Sequence, residues 1–186
     1  MGAIVQAKQG AAAPIAEEGQ EQQYLTFALA GEMFAVPIRN IKEIIEYGQL
    51  TSVPMMPSFI LGVINLRGSV VPVVDMSLRF GRQPTGITRR TCIVIIEVDT
   101  AGERQDIGMM VDSVSEVLEI PRSEIEPPPS FGAKIRVDFI QGMGKIAGKF
   151  VIILDVDKVL SIEEMALLGQ AGANAVEALP SPGAAG

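Results

Sequence analysis

Two aspartates, Asp75 and Asp155, are the side chains best placed for acid-base chemistry, because each directly follows an apolar stretch typical of a β-strand. Two carboxylates held close together can act as general acid and general base. Each aspartate also precedes a segment where it could accept hydrogen bonds from free backbone N–H groups. We favour this capping role, since caps repeated in two parts of a fold would not converge on one site.

The other residues that commonly do chemistry are scarce. The chain has no histidine and one cysteine, Cys92. It therefore lacks the commonest general base near neutral pH and the commonest ligand of transition metals, so triads and zinc sites are not expected. Cys92 lies in an apolar run, residues 91–96, where we expect its thiol to pack as a small hydrophobic group without a disulfide partner.

A glycine-rich segment, residues 142–149, has the composition of a phosphate-binding loop but not its spacing. A P-loop requires glycine five positions before its Gly-Lys pair and serine or threonine directly after the pair. Met143 and Phe150 occupy those two positions, so the hydroxyl that would bind Mg²⁺ is missing. The glycines are better explained by a tight turn between two strands.

Arg67 stands in the segment Asn65-Leu66-Arg67-Gly68, between two apolar stretches that resemble strands. We expect its guanidinium to be exposed in a turn, where most arginines are simply hydrated. At the matching place in the second half of the chain the segment reads Lys145-Ile146-Ala147-Gly148. The framework therefore does not require arginine here, which favours a functional role for Arg67.

The matching places belong to an internal duplication. Residues 34–44 align with residues 107–117 at a constant offset of 73 positions, and residues 59–75 align with residues 139–155 at an offset of 80. Hydrophobic class is conserved within both alignments. A longer connector around Pro127 and Pro128 in the second copy accounts for the change of offset, because loops absorb insertions at modest entropic cost.

Within each copy, the residue pattern predicts mainly short strands. Residues 24–30 alternate in the period-two pattern of a half-buried strand, Gly31-Glu32 is predicted to form a hairpin turn, and residues 33–38 form the return strand. Residues 39–44 suit a short helical turn. Each copy supplies about five strands, the number that closes a small barrel filled by side chains, so we predict a mainly β fold of two barrel lobes packed together. Which strand closes which barrel stays open.

The domain is predicted to span residues 21–168, with the copies at roughly 22–80 and 90–160. Residues 1–20 and 169–186 are rich in small and polar residues without periodic apolar positions, and are expected to be flexible tails. Residues 161–164 have capping-box spacing and predict a short helix ending near Leu168, which either closes the fold or contacts a partner.

Composition narrows the class of partner. The chain has 186 residues, 48% of them hydrophobic, with 22 acidic and 15 basic residues and a net charge of −7. The acidic balance argues against nucleic acid. The apolar runs are far shorter than the roughly 20 residues that cross a bilayer, and the first ten residues do not resemble a secretory signal. We therefore expect a cytosolic protein with protein partners and no membrane insertion.

One motif carries a family resemblance. Residues 62–68, Gly-Val-Ile-Asn-Leu-Arg-Gly, followed by residues 71–75, Val-Pro-Val-Val-Asp, resemble the CheW family of chemotaxis coupling proteins. Supporting matches lie at residues 41–44, 111–118 and 163–168, so the resemblance covers roughly residues 22–168. It implies two five-stranded SH3-like barrels with a few short helices and no cofactor.

The resemblance also implies a function. Such a protein is a non-catalytic adaptor that couples methyl-accepting chemoreceptors to the histidine kinase CheA, binding the kinase's regulatory domain and the cytoplasmic tip of the receptor. It would be cytoplasmic, recruited to membrane-associated receptor arrays, and capable of self-association there. The residues that match receptor-side positions of the family are Ile41, Glu43, Gly62, Arg67, Val114 and Val117. From the residues alone, the two valines fit a core position as well as a surface position.

Two alternatives remain. A coupling protein of the same fold could serve a non-flagellar pathway that controls pili or biofilm. A small-ligand binder would instead use the groove between the lobes, with Asp75, Asp155, Glu43 and Arg67 as its polar lining.

Overall fold

The computed structural model describes residues 23–100, 102–128 and 136–161, and these residues form mainly strands. The strands are β1 (Gln23–Leu29), β2 (Glu32–Pro37), β3 (Ile41–Glu46), β4 (Ile60–Leu66), β5 (Ser69–Asp75), β6 (Cys92–Thr100), β7 (Glu103–Val111), β8 (Ser113–Glu119), β9 (Ile125–Glu126), β10 (Ile140–Ile146) and β11 (Lys149–Leu154). Helix α1 (Met76–Arg79) follows β5, and helix α2 (Val156–Val159) follows β11. Single 3-10 turns occupy Ile38–Asn40, Arg122–Glu124 and Val137–Phe139.

The strands form two curled sheets, which we call the six-stranded lobe and the five-stranded lobe. The six-stranded lobe has the order β8-β1-β2-β11-β10-β9, and the five-stranded lobe has the order β3-β6-β7-β5-β4. The predicted mainly β fold with two barrel lobes is confirmed. The prediction of five strands per lobe missed β9, a two-residue strand that pairs with β10 at Met143 and Gly144.

Each lobe takes strands from both copies of the repeat. If β1 to β5 are matched in order with β6, β7, β8, β10 and β11, the two sheets have the same strand order, apart from the additional β9. The copies are joined within each sheet by a parallel pair, β2 with β11 and β5 with β7. The other strand pairs are antiparallel and include the short hairpins β1–β2, β4–β5 and β10–β11. The strands of the two copies are therefore interleaved between the lobes.

Alternation along the strands buries both faces of each sheet. One face forms the interior of its own lobe, as Ala35 and Ile153 do in the six-stranded lobe and Val73 and Ile95 do in the five-stranded lobe. The other face contributes to a central core that draws residues from both sheets, among them Phe27, Phe34, Val94, Met109 and Leu154. The predicted apolar interface between the lobes is confirmed, and side chains fill the middle of the seam.

Two turns were predicted for the segment from β1 to β3, and they differ in how well the structure agrees with them. The β1–β2 turn consists of Ala30 and Gly31, one position before the predicted turn, with φ angles of 49° and 81°. Two positive φ angles are typical of the type I′ turn, which suits the twist of paired strands. The predicted helical turn at residues 39–44 was largely wrong, because only Ile38–Asn40 is helical and β3 begins at Ile41.

The predicted tails and the helix ending near Leu168 lie outside the described residues, and the domain limits stay predictions. Among the residues described, no helix is both long and apolar enough to span a membrane.

Candidate partner-binding site

Glu43 and Arg67 form an ion pair that connects the two edges of the five-stranded lobe. Arg67 Nη2 lies 3.1 Å from Glu43 Oε2, and the side chain of Arg67 is 81% exposed whereas that of Glu43 is 25% exposed. Glu43 is on β3 and Arg67 follows β4, the strands at the two edges of this sheet. An ion pair this exposed stabilises a fold by at most about 1 kcal/mol. The guanidinium is therefore accessible to a partner.

The turn that carries Arg67 is shaped by its backbone, not by the guanidinium. Arg67 has a φ of 53° and Gly68 a φ of 86°, and Gly68 N donates to Asn65 Oδ1 at 2.9 Å. The counterpart turn, Ala147 and Gly148, has nearly the same angles, 50° and 78°. An L-residue at positive φ costs roughly 1–2 kcal/mol unless it has a short polar side chain such as Asn or Asp, and neither arginine nor alanine has one. The conformation of the turn thus gives no reason for an arginine.

Gly62 is buried on β4 and is required by close packing. A Cβ at this position would lie 2.3 Å from the carbonyl oxygen of Thr51. Thr51 and Val63 exchange two backbone hydrogen bonds, of 2.9 and 2.8 Å, so the segment before β4 cannot move away without breaking them. Gly62 therefore supports the site by holding this segment against β4 and presents no side chain to a partner.

The hydrophobic candidates lie on the edge strands of both lobes. Ile41 on β3 and Val114 on β8 are partly buried against the central core. Val117 on β8 is 53% exposed. By the offset of 73, the counterpart of Val117 is Ile44, which is 43% exposed and which the sequence analysis did not select. The duplication itself was the signal that could have found Ile44.

Lys42, the residue before Glu43, belongs to a separate polar network with two carboxylates. Lys42 Nζ lies 3.0 Å from Asp106 Oδ1 and 3.3 Å from Glu97 Oε2. The hydrogen bond to Asp106 contributes most, and the hydrogen bond to Glu97 next, to raising the pKa of Lys42 above its ordinary value. Since Lys42 already has two carboxylate partners, Arg67 is the more accessible cation on this side of the lobe.

The aspartates cap helices, as favoured from the sequence. Asp75 is buried and accepts hydrogen bonds from the backbone N–H groups of Ser77, Leu78 and Thr85 and from Thr85 Oγ1. Asp155 accepts from Lys158 N at 3.3 Å. The ligand-lining hypothesis is wrong for Asp75, because this carboxylate is inaccessible and its oxygens are used within the protein.

The sulfur-containing side chains of β6 and β7 pack in the core to different extents. Met109 and Met110 are buried. Cys92 is only partly buried against the central core, and its Sγ donates to the Arg90 carbonyl oxygen at 3.2 Å. Over the described residues, no group of three or more acidic, cysteine or histidine side chains is arranged to hold a metal ion.

A groove of about 620 Å³ lies on the six-stranded lobe, away from Glu43 and Arg67. Its walls include Met33, Leu118, Ile146 and Phe150, and Phe150 is 53% exposed. This apolar surface was not anticipated from the sequence, where the strand pattern placed these residues without showing that they share a concave face.

Comparisons with known proteins agree with this geometry. A family model described as CheW-like domain matches residues 23–164. The chain is 34% identical over 154 residues to the chemotaxis protein CheW of Klebsiella aerogenes, covering 83% of this chain and 90% of that protein. It is 32% identical over 142 residues to the chemotaxis protein CheW of Bacillus subtilis, covering 76% and 88% of the two chains.

A solved structure shows the same architecture. The crystal structure of the scaffolding protein TtCheW from Thermoanaerobacter tengcongensis matches with a TM-score of 0.68 and 34% sequence identity. The match covers 75% of this chain and 87% of that chain. With the family match extending over most of the sequence and the two-lobed fold shared with a solved scaffold, the chain belongs to the CheW family of chemotaxis scaffold proteins.

Proposed function

We propose that this protein is a non-catalytic adaptor that couples methyl-accepting chemoreceptors to the histidine kinase CheA. The observation that carries the proposal is the Glu43–Arg67 pair, in which a strongly exposed guanidinium is held at the edge of the five-stranded lobe by a partly buried carboxylate. An adaptor needs such fixed surface groups and no turnover. Family membership supports the same role, since a scaffold acts by holding partners in a set geometry.

The receptor-side surface includes Glu43 and Arg67, with the exposed hydrophobic side chains of Ile44 and Val117 on the edge strands. Glu43 and Ile44 lie on opposite faces of β3, since Glu43 is paired with Ile95 of the lobe interior and Ile44 with Val94 of the central core, so in this proposal the receptor contacts both faces of the edge strand. Ile41 and Val114 support these strands against the central core. Gly62 supports the segment that precedes β4. Of the six residues matched to the family, we therefore assign direct contact to Glu43, Arg67 and Val117.

The kinase-side surface binds the regulatory domain of CheA, which resembles this fold. A partner built from similar barrels can present a surface complementary to either lobe. In this proposal the protein acts in the cytoplasm, is recruited to membrane-associated receptor arrays and self-associates within them. Weak contacts repeated in an array gain strength because each bound partner raises the effective concentration of the next.

Absence of catalysis is supported by the roles of the most suggestive acids. Asp75 is saturated with hydrogen bonds in the core, and Asp155 caps α2. Glu43 pairs with Arg67. Each of these three carboxylates therefore has a structural partner of its own, as capping and ion pairing require.

The proposal is tested by reversing one charge. Arg67→Glu removes the exposed cation and places two carboxylates together, so we expect binding to a receptor hairpin fragment to weaken by about tenfold. Binding to the CheA regulatory domain should be unchanged. Both affinities can be measured by titration with purified fragments, and receptor-dependent kinase activity by phosphate transfer in a reconstituted mixture.

Arg104→Glu is the matched control. Arg104 is also on the five-stranded lobe, is 76% exposed and pairs with a glutamate, its Nη1 lying 3.5 Å from Glu97 Oε1. The control should bind the receptor normally. Equal losses in the two variants, or normal coupling by Arg67→Glu, would remove Arg67 from the proposed surface.

A non-flagellar pathway for pili or biofilm is the alternative within the same fold. It uses the same docking surfaces and differs in the receptor and kinase bound. Swimming in soft agar and spreading on a surface, compared in a strain lacking the gene, distinguish the two pathways.

A further inference from the structure

A buried arginine crosses the boundary between the two lobes. Arg79 ends α1, which continues β5 of the five-stranded lobe, and only 8% of its surface is exposed. Its Nε donates to the carbonyl oxygen of Val159 at 2.9 Å. Val159 ends α2, which continues β11 of the six-stranded lobe. The hydrogen bond therefore connects chain segments that leave different sheets.

Two aromatic rings flank the same guanidinium. Arg79 Cζ lies 5.0 Å from the ring centroid of Phe59 and 4.6 Å from that of Phe139. Phe59 immediately precedes β4 of the five-stranded lobe, and Phe139 immediately precedes β10 of the six-stranded lobe. The carbonyl oxygens of these phenylalanines accept from Asp75 N and Asp155 N, both at 2.8 Å. Each ring is thus anchored to the capped helix start of its own lobe.

The duplication shows that this arrangement is not a requirement of the framework. Phe59 and Phe139 are counterparts at the offset of 80, and so are Arg79 and Val159. One copy has valine where the other has arginine, and both side chains are buried. A single polar side chain therefore replaces an apolar one near the pseudo-symmetric junction of the lobes.

An arginine in place of a valine makes the packing of the two lobes depend on their relative orientation. Apolar contacts between two sheets stabilise their association but depend weakly on orientation. A planar guanidinium in contact with two rings, and hydrogen-bonded to a carbonyl, is satisfied over a narrow range of positions. Buried polar groups of this kind are best attested as devices that select one register among several packings.

A second polar side chain, Arg82, also connects the two lobes. Arg82 Nη2 lies 2.9 Å from Glu32 Oε2 on β2 of the six-stranded lobe. The Arg82 guanidinium also lies over the ring of Phe34, 5.9 Å from its centroid. The short segment from Arg79 to Arg82 therefore contacts the opposite lobe at two places.

We propose that Arg79 is a positioning residue that fixes the relative orientation of the two lobes, so that bound receptor and bound kinase are held in the geometry that couples them. The coupling part rests on the proposed function. The orientation part rests on the contacts of Arg79 with Val159, Phe59 and Phe139. Arg79 contacts neither partner in this proposal and acts through the lobe junction.

The first measurement is the distance between the lobes. Spin labels at Gln105→Cys on β7 and Lys145→Cys on β10, in a Cys92→Ser background, place one label on an exposed position of each lobe. Arg79→Met keeps a long flexible side chain but loses the guanidinium. We expect the pulsed electron resonance distance distribution to broaden or shift in Arg79→Met, with the circular dichroism spectrum unchanged.

Arg136→Met is the matched control. Arg136 Cζ also lies 4.6 Å from the Phe139 ring centroid, but its Nη2 pairs with Asp138 Oδ2 in the same connection. This control should leave the distance distribution as in the parent protein. An unchanged distribution in Arg79→Met, or equal broadening in both variants, overturns the proposal. If Arg79→Met does not fold, Arg79→Lys, which keeps the charge but not the planar group, decides in the same way.

The second measurement separates binding from coupling. In Arg79→Met the affinities for the separate receptor and kinase fragments should stay within about twofold, as for a substitution away from a contact surface. Receptor-dependent kinase activity should fall by about fivefold or more, the lower range of energetic coupling between sites. Broadened distances with normal coupling overturn the positioning role. If the parent protein binds neither fragment, the proposed function fails, and the distance measurement still decides whether Arg79 sets the lobe orientation.

Discussion

The β4–β5 and β10–β11 hairpins have the same backbone and present different side chains. Their turns have φ angles of 53° and 86° in one case and 50° and 78° in the other. The first turn carries Arg67, which reaches Glu43, whereas the second carries Ala147, which lines the apolar groove. Since the same turn conformation accepts either arginine or alanine, the conformation does not explain why residue 67 is an arginine. Differences between matched positions therefore indicate what each lobe does beyond folding.

The helices that follow these hairpins differ in the same manner. Asp75 is buried and accepts hydrogen bonds from both the helix and Thr85, whereas Asp155 is partly exposed and, among the described residues, accepts from its own helix alone. Arg79 crosses to the other lobe, and its counterpart Val159 receives it. Of the buried polar side chains among the described residues, Thr26, Asp75, Ser77 and Arg79 lie in the first copy, and Thr85 and Thr91 follow it.

The largest expected change in stability distinguishes the Asp75 cap from the Asp155 cap. Asp75→Ala leaves the backbone N–H and hydroxyl of Thr85 and the start of α1 unpaired in the core, which should lower the free energy of unfolding by about 4 kcal/mol. Asp155→Ala loses one exposed cap, worth about 1 kcal/mol. Urea denaturation of both variants measures the difference. Equal losses would mean that the burial of Asp75 adds nothing to its role.

A second comparison sets Gly62 against Gly142. A Cβ at residue 62 meets the Thr51 carbonyl oxygen at 2.3 Å, whereas a Cβ at residue 142 meets the Ile125 Cγ2 atom at 2.6 Å and the Glu126 carbonyl oxygen at 3.2 Å. The closest contact of residue 62 is with backbone held by two hydrogen bonds, which yields less than a side-chain methyl group. We expect Gly62→Ala to cost about 3 kcal/mol and Gly142→Ala about 1 kcal/mol in thermal or urea unfolding. The reverse order would show that β9 is the more rigid neighbour.

Exchanging the turn residues tests function with little change in stability. Arg67→Ala and Ala147→Arg should each alter the free energy of unfolding by no more than about 0.5 kcal/mol, because both side chains are at a surface turn. Receptor-fragment binding should weaken in Arg67→Ala and stay normal in Ala147→Arg. Titration with the fragment measures both. A loss of binding in Ala147→Arg instead would move the receptor surface to the six-stranded lobe.

The smallest expected effect concerns the exposed edge strands. Ile44→Ser and Val117→Ser should each reduce receptor-fragment affinity by about threefold, since each loses an exposed apolar contact at the proposed interface. Ile87→Ser, at another exposed hydrophobic residue, serves as the control. If one edge-strand variant binds normally and the other does not, the receptor contacts one lobe only.

Much of the local structure was predictable because its causes lie within a few residues. Alternation of apolar residues placed β1 and β2, and the acids after β5 and β11 predicted two capped helix starts. The turn at Ala30 and Gly31 was displaced by one residue, because Gly31 could occupy either turn position by sequence alone. The helical turn expected at residues 39–44 hid the fact that Ile44 lies on an exposed edge strand.

For the candidate site, the family resemblance selected residues, and the structure adds how they are arranged. The family motif selected Glu43 and Arg67, but their contact depends on the closure of the sheet that brings β3 near the β4–β5 turn. Gly62 shared the same motif, and only the position of Thr51 shows that its role is packing. Val114 and Val117, which the pattern could not assign, differ in exposure although both lie on the face of β8 that is turned to the central core, opposite Phe27 and Leu25.

By itself, the sequence determined a duplicated plan of short strands, two-residue turns and capping aspartates, since these depend on side-chain period and turn chemistry among near neighbours. Only the tertiary structure decided that β2 pairs with β11 and β5 with β7, and that Arg79 lies buried between the lobes. Those features depend on which distant segments compete best for the same strand edge and the same core. Such a choice is made by packing and hydrogen bonding across the whole fold, and no local pattern contains it.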